Sequence, residues 1–311
     1  LETRISENTI LCAAAVIDRA GKRTEYPITG EEAEILQKLT EVVRLEDPDF
    51  ITGYNIDNFD LPRMVERSEY IDTRSEMERA LFLGWGRVPI NETETKRGWR
   101  KPGRVFPNRE QNRVWTIKGR IPLDAWWQAR QTLRPQRESL RYVSRLLWPE
   151  DKEMQKMDID ASRMDEEWAK RPDEVLEYCV RDTVLPLDIL EKMKSIARKE
   201  ALASVSLTTV DIAATSTTSR WIDSLVIRLA DRNGVAVPNT NQGPRKQDKI
   251  AGGYVHEVEP GVKPWVVVLD FKSMYPSIMI SNNICSTTLV RDGSEDDSHF
   301  VSPVTNTRYI S

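Results

Sequence analysis

Asp270-Phe271-Lys272-Ser273-Met274-Tyr275-Pro276-Ser277-Ile278 follows five apolar residues, Trp265 to Leu269, and that order decides how the rest of the chain is read. The apolar run predicts a buried strand that delivers Asp270 at its carboxyl end. Pro276 then predicts a sharp turn. A carboxylate placed there can ligate a metal, the amides after it can cradle phosphates, and Tyr275 packed beside them can wall off one edge of a sugar. The whole run must match for this reading, so it is the most specific feature of the sequence.

Upstream lie three further acidic positions. Asn55-Ile56-Asp57-Asn58-Phe59-Asp60 comes after the apolar pair Phe50-Ile51 and a turn at Gly53, and before Leu61, Met64 and Val65 at helical spacing. Asp60 therefore heads a helix beyond a strand's carboxyl end, facing the crevice there, although by itself it suits an ordinary N-cap equally well. Tyr178 and Asp182 stand four residues apart on one helix face, where a phenol can orient a water and a carboxylate can hold a metal. That spacing alone is common. Glu2, within Leu1-Glu2-Thr3, alone reads only as an exposed acid at a chain start. Acids at strand ends, with one more on a nearby helix, are what two-metal phosphoryl chemistry requires: two divalent cations about 4 Å apart that activate a water and stabilise the leaving oxygen. Such hard cations take oxygen ligands.

Composition narrows the alternatives. The 311 residues correspond to about two domains of ~150 residues; 39% hydrophobic and 30% charged residues, with 14 Gly and 17 Pro, exclude collagen-like, low-complexity and wholly disordered classes. The longest apolar run, Ile10 to Ile17, falls far short of the ~20 residues of a membrane-spanning helix, so no membrane partner is expected. Cys12, Cys179 and Cys285 form no CxxC, and His256 and His299 are the only histidines. A disulfide framework and a Cys/His zinc site are thus not expected, a cytoplasmic, nucleoid-associated location is, and any metal should sit on carboxylates. The start at Leu1, without Met or a signal segment, and an end at Ser311 without a helix stop lead us to expect a piece of a longer protein.

The net charge of −4 hides an asymmetry. Between Trp85 and Arg145 stand 15 Lys or Arg against 5 acids, a surplus of ten that leaves −14 for the remainder. Five of the 9 Trp (Trp85, Trp99, Trp115, Trp126, Trp127) fall in the same stretch. Cations alternating with rings suit a nucleic-acid surface, and the same residues also suit a solvated hairpin whose rings pack on the core.

Element by element, Thr9–Ile17 and Thr24–Ile28 around Asp18-Arg19-Ala20-Gly21 predict a hairpin, and Gly30-Glu31-Glu32 opens a helix reaching about Leu45. Val114–Ile117 and Arg120–Leu123 read as strands and Leu140–Leu147 as a helix. Pro172-Asp173-Glu174 starts a helix with Val175, Leu176, Cys179, Val180, Thr183 and Val184 on one face, which Pro186 should kink or interrupt. Thr217–Asn233 predicts another helix with Trp221, Leu225, Val226 and Leu229 on one side, stopped by Gly234, and the polar segment Asn239–Lys249 a domain boundary.

Taken together these residues resemble the family B DNA polymerases, most closely those of archaeal type. Asp270 to Ile278 resembles their first palm motif; Asn55, Phe59 and Asp60 resemble the second motif of the proofreading 3′ to 5′ exonuclease, Tyr178 and Asp182 the third, and Ile250-Ala251-Gly252-Gly253-Tyr254 the Gly-Gly element that touches template DNA. All occur in the family's order. Leu1-Glu2-Thr3 fits the last part of the first exonuclease motif, Asp-x-Glu, whose Asp would fall just before Leu1; Ile250 stands where the Gly-Gly element usually has Tyr.

The resemblance implies an α/β architecture. It would comprise an RNase H-like (DEDD) exonuclease domain over residues 1–200, with a mixed sheet and flanking helices, a helical connection over 201–240, and the first strands of a polymerase palm over 241–311. It implies a DNA-directed DNA polymerase in which Glu2, Asp60 and Asp182 hold two Mg2+ or Mn2+ ions for hydrolysis at the DNA 3′ end and Tyr178 positions the attacking water. Asn55, Phe59, Gly252, Gly253, Lys118 and Arg120 would contact DNA. Asp270 would ligate polymerase metal, with Phe271, Ser273, Met274 and Tyr275 at the deoxynucleoside triphosphate and Tyr275 excluding ribose. A sliding clamp is a further implied partner. The fingers, the second palm motif and the thumb lie outside the 41 residues after Asp270, so polymerisation by this chain alone is not expected. The alternatives are a decayed, DNA-binding polymerase relic and a free-standing DEDD exonuclease.

Overall fold

A computed structural model describes residues 1–4, 8–72, 83–87, 106–107, 115–150, 159–237, 256–290, 299–303 and 305–310. They fall into two compact units, Leu1–Thr240 and Asn241–Ser311. Gly252 and Gly253, the segment 239–249 and, within the basic stretch, residues 88–105 with Trp99 and 108–114 lie outside the described residues.

The first unit begins with an antiparallel sheet in the order β1 (Glu2–Thr3), β2 (Ile10–Arg19), β3 (Lys22–Ile28). Arg19 pairs with Lys22, leaving a two-residue turn in which Ala20 and Gly21 have φ of 52° and 84°. Both angles are positive, the backbone whose twist matches two antiparallel strands, so the hairpin forms where the sequence predicts it. α1 (Glu32–Glu46) presses Ile35, Leu36, Leu39 and Val43 into a core shared with Ile10, Ala13 and Ile28. After it comes β4 (Phe50–Ile51), which leads through Gly53 to α2 (Asp60–Asp72).

β5 (Phe106–Pro107) and β6 (Trp115–Thr116) pair antiparallel, while β7 (Ile121–Pro122) runs parallel to β4, Phe50 opposite Ile121 and Ile51 opposite Pro122. Helices follow: α3 (Ala125–Leu133), α4 (Leu140–Leu147), α5 (Met164–Lys170) and the long α6 (Pro172–Lys192), then α7 (Ser195–Ser206), α8 (Val210–Thr215) and α9 (Thr218–Arg232). α6 ties two cores together. Val175, Tyr178 and Cys179 pack with Leu11 and Cys12 of β2, and about two to three turns later Leu185 and Ile189 pack with Ala129 of α3 and Leu140 and Val143 of α4.

Three expectations fail in this unit for physical reasons. Pro186 does not interrupt α6; it is itself buried, and the helix forgoes one backbone hydrogen bond while Leu185, Ile189 and Leu190 hold both sides of it in the core. The buried face of α6 accordingly contains Tyr178 and Leu185, whereas Val180, Thr183 and Val184 are only half-buried. Trp85, by contrast, follows the reading in which the rings pack on the core, its indole Nε1 donating to Thr40 Oγ1 at 3.3 Å. Arg120, expected on DNA, is buried: its guanidinium donates to the carbonyls of Trp85 and Pro48 and pairs with Asp47 at 2.8 Å. No surface is left on it for a phosphate. Lys118, at the tip of the same turn, is exposed.

In the second unit, α10 (Met274–Ser281) precedes the hairpin of β8 (His299–Val301) and β9 (Arg308–Ile310). The expected buried strand at Trp265–Leu269 does not form: Trp265 is 98% and Leu269 89% exposed. A strand is completed by a partner backbone, and none of the described residues pairs with this run. Nor is the chain reversed at Pro276. That residue occupies the first turn of α10, where its missing N–H costs nothing, and the bend moves to Ser273 at φ 53°. The apolar side of α9, including Ile222, Leu225, Val226 and Leu229, is likewise exposed among the described residues.

The placement of Arg120 predicts that Arg120→Ala lowers stability by about 2–4 kcal/mol in denaturant unfolding, since two carbonyls and Asp47 lose their partner, whereas Lys118→Ala stays within about 0.5 kcal/mol. Equal, small losses would return Arg120 to the surface.

Candidate active site

The parallel pairing of β4 with β7 brings two strand ends, and the turns after them, to one place. Past Ile51 and Pro122 the ladder continues for one step, Leu123 donating to Ile51 O at 2.9 Å and Ala125 to Gly53 O at 3.0 Å, while Thr52 Oγ1 reaches Leu123 O at 2.6 Å. The backbone between Asn55 and Asp60 then coils into a tight turn. Asn55 takes φ 65°, a left-handed conformation that Asn tolerates better than most residues, and its carbonyl accepts from Asn58 and Phe59 at 3.2 and 3.0 Å. Asp60 becomes the first residue of α2 and Phe59 stays 42% exposed at its head.

This turn opens on a cleft of about 1130 Å³. Glu2 from β1, Asn55, Phe59 and Asp60 from the turn, and Tyr178 and Asp182 from α6 all line it. The sequence separates these residues by as many as 180 positions, and the fold gathers them because β2 lies under both β1 and α6. Leu1 is held against the same group: its ammonium donates to Asp60 Oδ1 at 3.1 Å. Tyr178 is 2% exposed and hydrogen-bonded to Asp182. Burial first, then the charges of Asp182 and Glu2, push its phenol upward, so it remains a protonated donor at neutral pH. Below it, Cys12 and Cys179 touch in the apolar floor, and the Cys12 thiol is pushed up by its bond to Cys179 and by burial.

Whether a divalent cation suits this cleft is tested by the donors themselves. The side chains of Glu2, Asp60 and Asp182 offer only oxygen, the ligand hard cations take, and all three line the cleft. Among the described residues no three acids, thiols or imidazoles are drawn closely enough to form a ligating cluster. By donor type and by charge the residues fit; as arranged here they surround the position without closing on it.

One residue of the site escaped the sequence reading. Asp124 ends the β7 segment and caps α3, and its carboxylate accepts from the amides of Trp126 (2.8 Å) and Asn55 (2.9 Å) on Oδ1 and of Asp57 (3.3 Å) on Oδ2. The signal was present: Asp124 precedes a helix directly after a strand, as Asp60 does, but it stood inside a strongly basic stretch and was counted only as one of its few acids. Asp57 lies next to it. Burial, and then the charge of Asp124, raise Asp57 to about 7; burial raises Asp124 to about 6 against the opposing pull of its amide donors.

The second unit holds Asp270, Phe271, Met274 and Tyr275 at the surface around Ser273, the residue preceding α10.

A model of DNA polymerase family B matches residues 209–308, and a model of the exonuclease domain of DNA polymerase family B matches residues 15–143. The DNA polymerase delta catalytic subunit of Drosophila melanogaster is 31% identical over 271 residues, which cover 86% of this chain and 24% of that protein. A DNA polymerase of Pyrococcus glycovorans is 27% identical, over 88% of this chain and 33% of the relative. Among solved structures, the family B DNA polymerase from the hyperthermophilic archaeon Pyrobaculum calidifontis superposes with a TM-score of 0.64 at 22% identity, covering 96% of this chain and 36% of that one. The delta-subunit relatives are thus matched over about a quarter of their length.

The shifted carboxyls give a pH dependence with a definite sign. Asp57 and Asp124 have folded pKa values of about 7 and 6, above the unfolded ~3.9, so between those values the native state holds protons that the unfolded chain has released. Their contribution to stability is complete below pH 4 and is lost as pH rises to about 7. Asp57→Asn removes the larger part of that slope, so its melting temperature relative to the parent should rise by about 2–6 °C between pH 5 and pH 8. A constant offset across that range would show that Asp57 does not titrate there.

Proposed function

The chain belongs to the family B DNA polymerases, and from that premise we propose that its first unit hydrolyses the 3′-terminal phosphodiester of DNA and that its second begins the polymerase palm. The observation that carries the first half is the convergence of Glu2, Asp60, Tyr178 and Asp182 on one cleft. We assign residues 1–200 to the exonuclease domain, 201–240 to a helical connection and 241–311 to the start of the palm; α7, α8 and α9 fall across the connection.

Two divalent cations, Mg2+ or Mn2+, held by Glu2, Asp60 and Asp182 would activate water and stabilise the departing oxygen. The protein's own groups do the rest. Tyr178, protonated and hydrogen-bonded to Asp182, orients the attacking water through its hydroxyl. Phe59, exposed at the head of α2, wedges against the terminal base, and Asn55 contacts the nucleotide beside it. The apolar floor of Leu11, Cys12 and Cys179 excludes bulk water, which strengthens every charge interaction above it. Lys118 and the cations between Lys96 and Arg113 supply phosphate contacts, which makes affinity fall with salt.

For the second unit we propose that Asp270 ligates metal in the complete polymerase, that Phe271, Ser273 and Met274 line the deoxynucleoside triphosphate, and that Tyr275 excludes ribose. Gly252 and Gly253 would follow template DNA, and a sliding clamp is a further partner of the whole protein. The match of residues 209–308 to a polymerase model argues against a free-standing exonuclease.

A labelled single strand with a free 3′ hydroxyl tests the proposal. The chain carrying an Asp ahead of Leu1 should shorten it from that end only with Mg2+ or Mn2+. Asp182→Ala or Asp60→Ala should cut the rate by at least about 10³-fold, and Tyr178→Phe by roughly 10- to 100-fold. DNA binding with no metal-dependent shortening would leave the decayed, DNA-binding reading instead.

A further inference from the structure

We infer that Asp124 is a positioning residue of the 3′-end site, one carboxylate that fixes both the turn bearing Asn55, Phe59 and Asp60 and the start of α3 bearing Trp126, two walls between which a single strand lies. The inference rests on the exonuclease reading above and adds a residue to it.

The geometry argues for more than a helix cap. Backbone hydrogen bonding between the two segments ends at Gly53, where Ala125 donates to its carbonyl. From there to Asp60 the backbone amides are tied to α3 by the Asp124 side chain, which is 4% exposed, while Tyr54 packs on the clusters of Ala125 and Ala129 and its hydroxyl donates to Glu138 O at 2.6 Å. Oδ1 is shared by the amides of Asn55 and Trp126, and Oδ2 takes that of Asp57. The carbonyl of Asp57 is gripped from the other side by Trp115 Nε1 at 2.8 Å. The peptide on either side of Asp57 is therefore clamped at both its polar ends, two residues before Phe59 and three before Asp60. Trp126 lines the same cleft as Phe59.

A cap alone would not select this side chain. Ser, Thr or Asn caps a helix as well as Asp does, and a buried carboxylate beside Asp57 adds repulsion and a desolvation cost. What a carboxylate supplies, and those residues do not, is a second acceptor oxygen. Asn in its place keeps the bonds to Trp126 and Asn55 and turns an NH2 group toward the Asp57 amide, so it separates capping from clamping.

The experiment compares Asp124→Asn and Asp124→Ser with the parent chain, with and without an Asp ahead of Leu1. It measures amide hydrogen exchange across 55–60, kcat and KM for Mg2+-dependent shortening, and affinity for an oligothymidylate with a 3′ hydroxyl against the same strand with a 3′ phosphate, in Ca2+. With the cap kept, melting should stay within a few degrees of the parent, while the Asp57 and Asn58 amides exchange about tenfold faster. kcat/KM should fall roughly 10- to 100-fold, and the preference for the free 3′ hydroxyl should shrink several-fold, a change that a purely structural role would not produce. If Asp124→Asn loosens the turn yet keeps kcat/KM and end preference within about twofold of an active parent, the inference is overturned and the exonuclease reading stands. A parent that neither shortens DNA nor prefers the free end removes both together.

Discussion

Two strands of two residues each, running parallel, set the positions of the Asn55–Asp60 turn and of α3, the two segments that face each other across the cleft. The pairing of Phe50 with Ile121 and of Ile51 with Pro122 contributes little energy itself. Its effect is directional: parallel strands end at the same edge, so the segments leaving them are forced side by side. One of those segments becomes the Asn55–Asp60 turn and the other α3. An antiparallel pairing would have sent them to opposite ends, and no side chain as short as Asp124 could have joined them.

Against that edge α6 supplies the third wall. Its two packing surfaces are offset along its length, Val175 and Cys179 on β2 and Leu185 and Ile189 on α3 and α4. Tyr178 and Asp182 fall where one surface gives way to the other, and the helix cannot slide or roll without losing one of the two cores. A carboxylate at such a position is held by the large apolar contacts above and below it, which is how a mostly buried helix carries a polar group without local strain.

Much of this was legible in advance, and the failures share a cause. The hairpin, α1, α4 and the start of α6 follow from local turn chemistry and periodicity, which do not depend on distant partners. Asp60, Tyr178 and Asp182 could be singled out as candidates because their neighbours form recognisable runs. Asp124 was missed because its meaning lies in contacts 67 to 69 positions away, with Asp57 and Asn55. Arg120 was misplaced for the complementary reason: a cation in a basic stretch looks exposed until the carbonyls of Pro48 and Trp85 are brought beside it.

Trp265 to Leu269 extends the same lesson to the second unit. Five apolar residues in a row specify that a strand would be stable if paired on both sides, as buried parallel or central strands are, but they do not create the partner. The run stays irregular and exposed, and Asp270 with it, whereas α10 forms regardless because its hydrogen bonds close within eight residues. The contrast explains why the two candidate centres differ. In the first unit each acid is carried on an element whose partners are present among the described residues, so the side chains converge. In the second the acid sits at the end of a would-be strand, and its position is only as well defined as the sheet that strand belongs to.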